Sequence, residues 1–242
     1  MKPLVPTPIP GTFSNMSKSA FLFVLSLLLV ASVASADVIY NVTVDTSSIS
    51  GTVGSLDFNF NPGPLVTQAA SLQILNFASD GSLADCAANV QGFCPTGDVT
   101  GQLPSTLTFD NGTAFNDDFD AFTFGSTLSF QVRLYGPALS SPDGNSSSGS
   151  TFVFSMFSDP AGTVPVLTSD TSDGFAFSVD VNLVGTTTVN NFSSQTDVVS
   201  GPTAVPEPSG LVLLGTAFAL LGTLCFRLLR QRQVPISARK DL

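Results

Sequence analysis

Residues 175–183 read FAFSVDVNL, and every second residue from Phe175 to Leu183 is apolar. Because successive side chains of a β-strand point to opposite faces of a sheet, this alternation predicts a strand with one face buried against another layer. The same alternation recurs elsewhere, and no helical period persists between residues 37 and 204. The other alternating stretches are residues 38–44, 55–60, 128–135 and 152–156.

The number and spacing of these stretches predict an all-β fold. We expect about eight to ten strands over residues 37–204, arranged as a two-layer antiparallel β-sandwich or jelly roll. Sixteen of the 21 phenylalanines fall in this segment, so the core is expected to be packed mainly by phenylalanine rings. The dipeptide Asn111-Gly112 lies between two apolar stretches and predicts a two-residue β-hairpin.

Charge and composition exclude several classes of function. The chain has 242 residues and a net charge of −10, and Arg133 is the one cationic residue of the segment 37–204, against sixteen aspartates. Nucleic-acid binding by this segment is excluded, because phosphate neutralisation needs clustered cations. The sequence has no histidine, which rules out a Ser-His-Asp triad, a Cys-His pair and histidine-ligated metals. We therefore expect no enzyme activity; the alternative is a hydrolase built on two aspartates roughly 5–10 Å apart in a cleft.

The N-terminal segment has the layout of a secretory signal. Residues 21–33, FLFVLSLLLVASV, form an apolar run that follows Lys18 and precedes Ala34-Ser35-Ala36. The run is short for a membrane span, and the small residues after it suit cleavage by signal peptidase. We predict a signal peptide over residues 1–36, with translation starting at Met16 because the proline-rich stretch before it fits a charged leader poorly. The alternative is a buried core helix.

The C-terminal segment combines prolines, an apolar run and arginines. Residues 205–209 read VPEPS, and the seventeen residues 210–226 carry no charge. At about 1.5 Å per residue this run makes roughly 26 Å of helix, enough for a thin bilayer core. Arg227, Arg230 and Arg232 follow it, and positive flanking charge stays in the cytoplasm. We therefore predict one transmembrane helix, a cytoplasmic tail over residues 233–242 and a body that faces outward.

Residues 205–232 resemble the PEP-CTERM sorting domain of bacterial envelope proteins. The resemblance implies recognition of Pro206, Glu207 and Pro208 by an exosortase, a membrane cysteine protease or transpeptidase. It also implies a membrane-anchored precursor that is transferred to the cell surface or to an extracellular matrix of exopolysaccharide. Many members of the family stop at the arginines, whereas this chain continues to residue 242. The alternative is an ordinary stop-transfer anchor with a proline-rich stalk; a lipid-anchor signal is disfavoured by the basic cluster.

Two of the three cysteines enclose a short loop. Cys86 and Cys94 bound the stretch CAANVQGFC, and outside the cytoplasm they are expected to form a disulfide. By loop-closure arithmetic an unstrained bond contributes about 2–3 kcal/mol. Cys225 lies inside the predicted membrane span. A metal site from two thiols without histidine is not expected, because structural zinc takes four nitrogen or sulfur ligands.

The densest acidic group is NDDFD at residues 116–120. Alternation predicts Asp118 and Asp120 on one side of a strand and Phe119 on the other, and Asp117, Asp118 and Asp120 are the candidate ligands of a calcium ion. The stretch lacks the glycine and distal glutamate of the helix-loop-helix calcium consensus, so a solvated acidic edge is the alternative. A calcium-dependent carbohydrate-binding or adhesion module is accordingly the alternative function. Against it, this segment has no tryptophan and only two tyrosines, whereas sugar platforms need exposed aromatic faces.

Overall fold

The computed structural model describes residues 37–84 and 95–201, together with six helical residues between positions 215 and 224. Among these residues, no helix combines the length and the apolarity that are needed to cross a bilayer. The predicted signal peptide, the Pro-Glu-Pro motif and the arginine cluster lie outside the described residues, as do Cys86 and Cys94. The six helical residues are Gly215, Phe218, Leu220, Leu221, Gly222 and Leu224.

The predicted all-β class is confirmed. Twelve strands occur in the described residues, and they all lie within the unit Ser35–Val205, which is described here by itself. The strands are β1 (Val38–Asp45), β2 (Val53–Pro62), β3 (Ser71–Ser79), β4 (Ser82–Leu83), β5 (Val99–Gly101), β6 (Leu107–Asp110), β7 (Asp117–Thr123), β8 (Thr127–Tyr135), β9 (Ser150–Phe157), β10 (Phe175–Val181), β11 (Thr187–Asn191) and β12 (Thr196–Ser200). A short 3₁₀ helix (Ser47–Ile49) and a four-residue α-helix (Pro137–Ser140) lie between strands.

The strands form two six-stranded sheets that pack face to face around one core. The first sheet has the order β12-β1-β8-β3-β6-β5 and the second has the order β11-β10-β9-β2-β7-β4. Every strand pairing is antiparallel. Most consecutive strands lie in different sheets, and within the described chain only β5–β6, β9–β10 and β10–β11 are sequential partners. The architecture is therefore a two-layer antiparallel β-sandwich in which the chain repeatedly crosses between the layers.

The hairpin predicted at Asn111-Gly112 is wrong. Strand β6 belongs to the first sheet and β7 to the second, so the turn connects the layers and does not join paired strands. The Asn111 side chain binds neighbouring loops: its amide donates to the Gln68 carbonyl (2.9 Å) and to Ser150 Oγ (2.8 Å). Its Oδ1 accepts from the Ala70 amide (3.0 Å). These three hydrogen bonds tie the turn to the segment before β3 and to the start of β9, and so they stabilise the connection between the two sheets.

Phenylalanine dominates the core, as predicted. Phe130 of the first sheet packs against Phe58 and Phe154 of the second, with ring centroids 5.3 and 5.0 Å away. The inward-facing residues of the predicted alternating stretches are buried, apart from Val38 and Phe175 at the starts of β1 and β10, which are half-buried. Leu183 is an exception, since it is 47% exposed. Strand β10 ends at Val181 and the chain turns back over residues 182–186, so the alternation continues by two residues beyond the strand.

Candidate functional site

Strand β7 carries the acidic residues that the sequence singled out, and it lies between β2 and β4. Asp118 is paired with Phe58 of β2. Asp120 is paired with Leu56, and both apolar partners are fully buried. Because directly paired residues of neighbouring strands point to the same face, Asp118 and Asp120 face the interior of the sandwich. The predicted separation of these aspartates from Phe119 is confirmed by the alternating burial along the strand.

Asp118 and Asp120 form an inner carboxyl pair. Their side chains are hydrogen-bonded to each other, and the residues are only 1% and 5% exposed. The Oδ2 atom of each is inaccessible to solvent and has no hydrogen-bond partner among the described residues. Burial raises the pKa of Asp118 to about 8, and the adjacent Asp120 carboxylate adds to the rise. Two buried carboxyl groups in contact cannot both be ionised without compensating positive charge, so one of them holds a proton at neutral pH.

A second carboxyl pair lies on the outer face of the same two strands. Asp57 of β2 is hydrogen-bonded to Asp117 of β7, and the Asn59 amide donates to Asp57 Oδ1 (2.5 Å). Burial raises the pKa of Asp57 well above its usual range, with the Asp117 carboxyl as the next cause. The sequence interpretation missed Asp57. Its polar alternation with Asn59 and Asn61 was visible, but only the β2–β7 pairing brings it to Asp117.

The three expected calcium ligands are divided between the two faces of β7. Asp118 and Asp120 lie together inside the sandwich, whereas Asp117 lies outside beside Asp57. In the part of the chain that the structure describes, no three acidic, cysteine or histidine side chains are grouped to hold a metal ion. The alternative of a solvated acidic edge is wrong for the inner pair, because both of its residues are buried. Alternation along a strand shows which residues share a face, but it does not show which face is covered by the other sheet.

Asn116 fixes the start of β7. It is fully buried, and its amide donates to the carbonyls of Phe60 and Thr113, each at 3.0 Å. Its Oδ1 accepts from the backbone amide of Asp98 (2.8 Å), and its own backbone amide donates to Asn61 Oδ1 (2.6 Å). A buried asparagine with these partners holds the preceding loop against β2. Asn116 therefore determines where the acidic strand begins and which of its residues turn inward.

Both tyrosines make contacts within the domain. Tyr40 is buried in the core, with its hydroxyl hydrogen-bonded to Thr187 Oγ1 (2.7 Å). The Tyr135 ring lies under the guanidinium group of Arg133, which is 4.9 Å from the ring centroid. Arg133 in turn forms a salt bridge with Asp37 (2.5 Å). The aromatic residues best suited to stack on a sugar are thus already engaged within the domain.

The remaining predicted site residues lie outside the described residues. They are the sorting motif Pro206, Glu207 and Pro208, the basic cluster Arg227, Arg230 and Arg232, and the cysteines Cys86 and Cys94. The motif, the basic cluster and the disulfide stay predictions. Comparisons of the chain with protein-family models, with curated proteins and with solved structures find no match.

Proposed function

We propose that this chain is an exported structural protein of the cell surface or of an exopolysaccharide matrix, sorted by an exosortase through its Pro-Glu-Pro motif. The observation that carries the proposal is the order of features in residues 205–232: the motif, an uncharged apolar run and an arginine cluster. In this mechanism the apolar helix halts in the membrane and the arginines stay on the cytoplasmic side. The two prolines disfavour helix and keep the motif extended and accessible to the protease.

The termini of the β-sandwich support this arrangement. Strand β1 begins at Val38, shortly after the predicted signal-peptide cleavage site, and β12 ends at Ser200, shortly before the sorting motif. The Gly201 amide donates to the Ile39 carbonyl (2.8 Å), so the first and last strands lie side by side. Removal of residues 1–36 and attachment through residues after 201 would leave both sheets intact.

The composition of the domain suits a hydrated matrix. Residues 37–204 contain sixteen aspartates and one arginine, which keeps the domain soluble and repels like-charged copies. Most phenylalanine rings of the described domain are buried in the core, so the described residues present no broad aromatic surface for ligands. These features favour a structural role over catalysis.

Replacement of Glu207 tests the sorting step. In a host that contains an exosortase, we expect the wild-type chain to be trimmed and released, and Glu207→Ala to stay intact in the membrane. Thr203→Ala, in the same spacer, is the matched control and should be released normally. Membrane fractionation and mass spectrometry of the C-terminus provide the readout. If the wild-type protein stays intact in the membrane of this host, the sorting proposal is wrong and residues 205–232 are an ordinary single-pass membrane anchor.

The arginine cluster provides a separate test of the same mechanism. Changing Arg227, Arg230 and Arg232 together to glutamine removes the charge that retains the segment on the cytoplasmic side. We expect this variant to remain unsorted in the membrane fraction, like a wild-type chain in a strain without the exosortase. Normal release of the glutamine variant would contradict the role assigned to the arginines.

The alternative function is a calcium-dependent carbohydrate-binding or adhesion module. A polar row across the outer face of the second sheet favours it, because short amide, hydroxyl and carboxyl side chains can bond sugar hydroxyls. The row comprises the half-buried Asn190, Asn59 and Asp117 and the buried Ser178, interrupted by Val153. The Asn190 amide donates to Ser178 Oγ (3.1 Å) and to Asp180 Oδ2 (3.0 Å). A glycan pull-down with and without chelator tests this candidate: chelator-sensitive retention supports it, and the absence of retention on any glycan eliminates it.

A further inference from the structure

Four exposed aliphatic side chains lie at one end of the sandwich. Two belong to the connection between β2 and β3 and two to the turn between β10 and β11, and they are between 47% and 73% exposed: Leu65, Val66, Leu183 and Val184. Pro62 and Val181, the last residues of β2 and β10, are both paired with Ser150 of β9, so the two connections leave the same end of the second sheet. They adjoin, because Thr67 and Leu183 line the same shallow depression. We name these four side chains the apolar tip.

Backbone hydrogen bonds hold both parts of the apolar tip in place. The Val66 carbonyl accepts from the amides of Ser147 and Ser148 (2.9 and 3.1 Å). The Asn182 amide donates to the Thr186 carbonyl (2.8 Å), which closes the turn around the other two side chains. Turn positions of this kind are usually taken by glycine, proline or short polar residues. Aliphatic residues that are held exposed at such positions indicate a surface that another apolar phase covers.

The two connections that carry the apolar tip are uncharged. Residues 63–70 and 182–186 contain no acidic or basic residue. Asp143, in the connection between β8 and β9, is exposed and accepts hydrogen bonds from the amides of Asn145 and Ser146 (2.9 Å each). At the opposite end of the sandwich, the connection between β9 and β10 alone carries three aspartates: Asp159, Asp170 and Asp173. The apolar tip can therefore leave water without desolvating a charge of its own, whereas the opposite end cannot.

The chain leaves β12 at the end of the sandwich that carries the apolar tip. Ser200, the last residue of β12, is paired with Tyr40. The Tyr40 hydroxyl is hydrogen-bonded to Thr187 Oγ1 (2.7 Å), and Thr187 directly follows the turn of the apolar tip. Nine residues, 201–209, separate this point from the uncharged apolar run 210–226. Because these residues reach about 30 Å at full extension, the predicted membrane span keeps this end of the sandwich close to the bilayer.

We propose that the apolar tip docks on the lipid interface of the membrane that holds the precursor, and that this contact orients the sandwich. The inference rests on the membrane-anchored precursor of the proposed function. Apolar side chains at an interface enter the boundary between headgroups and acyl chains to a depth of about 5–10 Å. Four side chains bind weakly by themselves, but the anchor makes the contact intramolecular and so raises the effective concentration of lipid. A second copy of the chain suits the tip less, because residues 37–204 carry sixteen aspartates against one arginine and like-charged domains repel each other.

Tryptophan fluorescence of the full chain in vesicles tests the proposal. The sequence has no tryptophan, so Val184→Trp introduces the only indole. In vesicles of phosphatidylcholine with brominated acyl chains, the fluorescence of this variant should be quenched relative to unbrominated vesicles. Val164→Trp is the matched control, since Val164 is 51% exposed in the connection at the opposite end, and it should not be quenched. Equal quenching of the two probes, or quenching of neither, would overturn the proposal.

Two double variants separate lipid docking from contact between copies. Leu65→Asp combined with Val66→Asp should abolish the quenching of the Val184→Trp probe, because it places charge in the apolar tip. Val53→Asp combined with Val164→Asp adds the same charge at exposed positions of the opposite end and should leave the quenching unchanged. A Val184→Trp emission that responds to the protein-to-lipid ratio but not to bromination would identify a second copy as the occupant and would overturn the proposal.

Flotation of the same vesicles measures the anchor separately. A chain that does not float with the vesicles lacks the anchor, which would overturn both the proposed function and the docking. A chain that floats without quenching of Val184→Trp overturns the docking alone. The vesicles contain no exosortase, so a failure of the sorting step in the Glu207→Ala experiment leaves this result unaffected.

Discussion

The carboxyl group of Asp118 is inside the sandwich because the register of β7 on β2, and not the polarity of the side chain, determines which residues face inward. Once β7 pairs with β2, alternate residues must turn inward, and the hydrophobic contribution of Phe122 and the buried bonds of Asn116 fix that register. A shift by one residue would bring Asp117 and Phe119 inward and would break the Asn116 hydrogen bonds. The domain thus tolerates a destabilising residue at one position because several neighbours stabilise the same alignment.

The pH dependence of stability follows from this burial. The pKa of Asp118 is raised from 3.8 to about 8, so the folded domain holds a proton that the unfolded chain releases. The stability conferred by that proton is fully present below pH 3.8 and is lost as the pH rises through about 8. We expect the free energy of unfolding to fall from pH 5 to about pH 8, by up to about 1.4 kcal/mol per pH unit for one proton, and to level off above pH 8.

Urea unfolding of wild type and Asp118→Asn over this range measures the effect. The variant should show a shallower decline, whereas Asp197→Asn, at an exposed position of β12, should follow the wild type. The measurements exclude acidic pH because Asp80 would add its own pH dependence there. Hydrogen bonds from Ser126 and Thr127 lower the pKa of Asp80 to about 2. Its contribution is present above pH 3.8 and is lost as the pH falls through about 2. Identical slopes for wild type and Asp118→Asn would contradict the burial of this carboxyl group.

At the scale of the element, the aromatic contacts of strand β8 with the second sheet converge on Phe130. Phe130 projects from the first sheet and lies among Phe58, Phe154 and Phe177, which all belong to the second. The contacts with Phe58 and Phe154 are edge-to-face and the contact with Phe177 is stacked. Aromatic pairs of these kinds add about 0.5–1.5 kcal/mol per pair beyond the area they bury. Phe130 is therefore a central contact between the sheets, beside the buried Leu128, Val132 and Leu134 of the same strand.

We expect Phe130→Ala to lower the free energy of unfolding by about 3–5 kcal/mol, because it leaves a cavity between the sheets. Urea denaturation at pH 6 measures the difference. Phe115→Ala is the matched control: Phe115 lies in the loop before β7 and is 54% exposed, so its removal should cost about 0.5 kcal/mol or less. Similar losses for the two variants would show that the Phe130 cluster does not hold the layers together.

At the scale of the whole molecule, the described strands form one cooperative body. Each sheet draws its strands from across the chain, and β1 at one end of the domain pairs with β12 at the other. A cut between any two consecutive strands therefore separates β1 from its partner β12 and breaks at least one sheet. Its folding also depends on many contacts between residues that are distant in sequence, which is typical of slow-folding sandwiches.

We expect the fragment 37–204 to fold without the terminal segments. All twelve described strands lie within it, and their hydrogen bonds are made among themselves. Circular dichroism should show a β-sheet spectrum and one cooperative thermal transition. A fragment that ends at residue 190 is the control; it lacks β12 and should not give a cooperative transition. A disordered spectrum for the fragment 37–204 would show that the domain needs the segments on either side.

Local patterns in the sequence determined the strands and the identity of the core. The alternation of apolar and polar residues located β1, β2, β8, β9 and β10. It could do so because side chains point to opposite faces in turn within each strand, whatever the strand pairs with. The same reasoning indicated a phenylalanine core, because rings without a polar group are most stable when buried. The sorting segment is likewise a linear pattern, and it stays a prediction.

Only the tertiary structure decided which strands pair and which polar residues meet. The turn at Asn111-Gly112 was recognisable, but the loops that bind Asn111 determine that it crosses between sheets. Asp57 and Asp117 are brought together by the β2–β7 pairing, which no local signal specifies. The inward direction of Asp118 likewise depends on which face of β7 the other sheet covers. The reason in each case is the same: side-chain direction is local, whereas pairing and burial depend on contacts between distant parts of the chain.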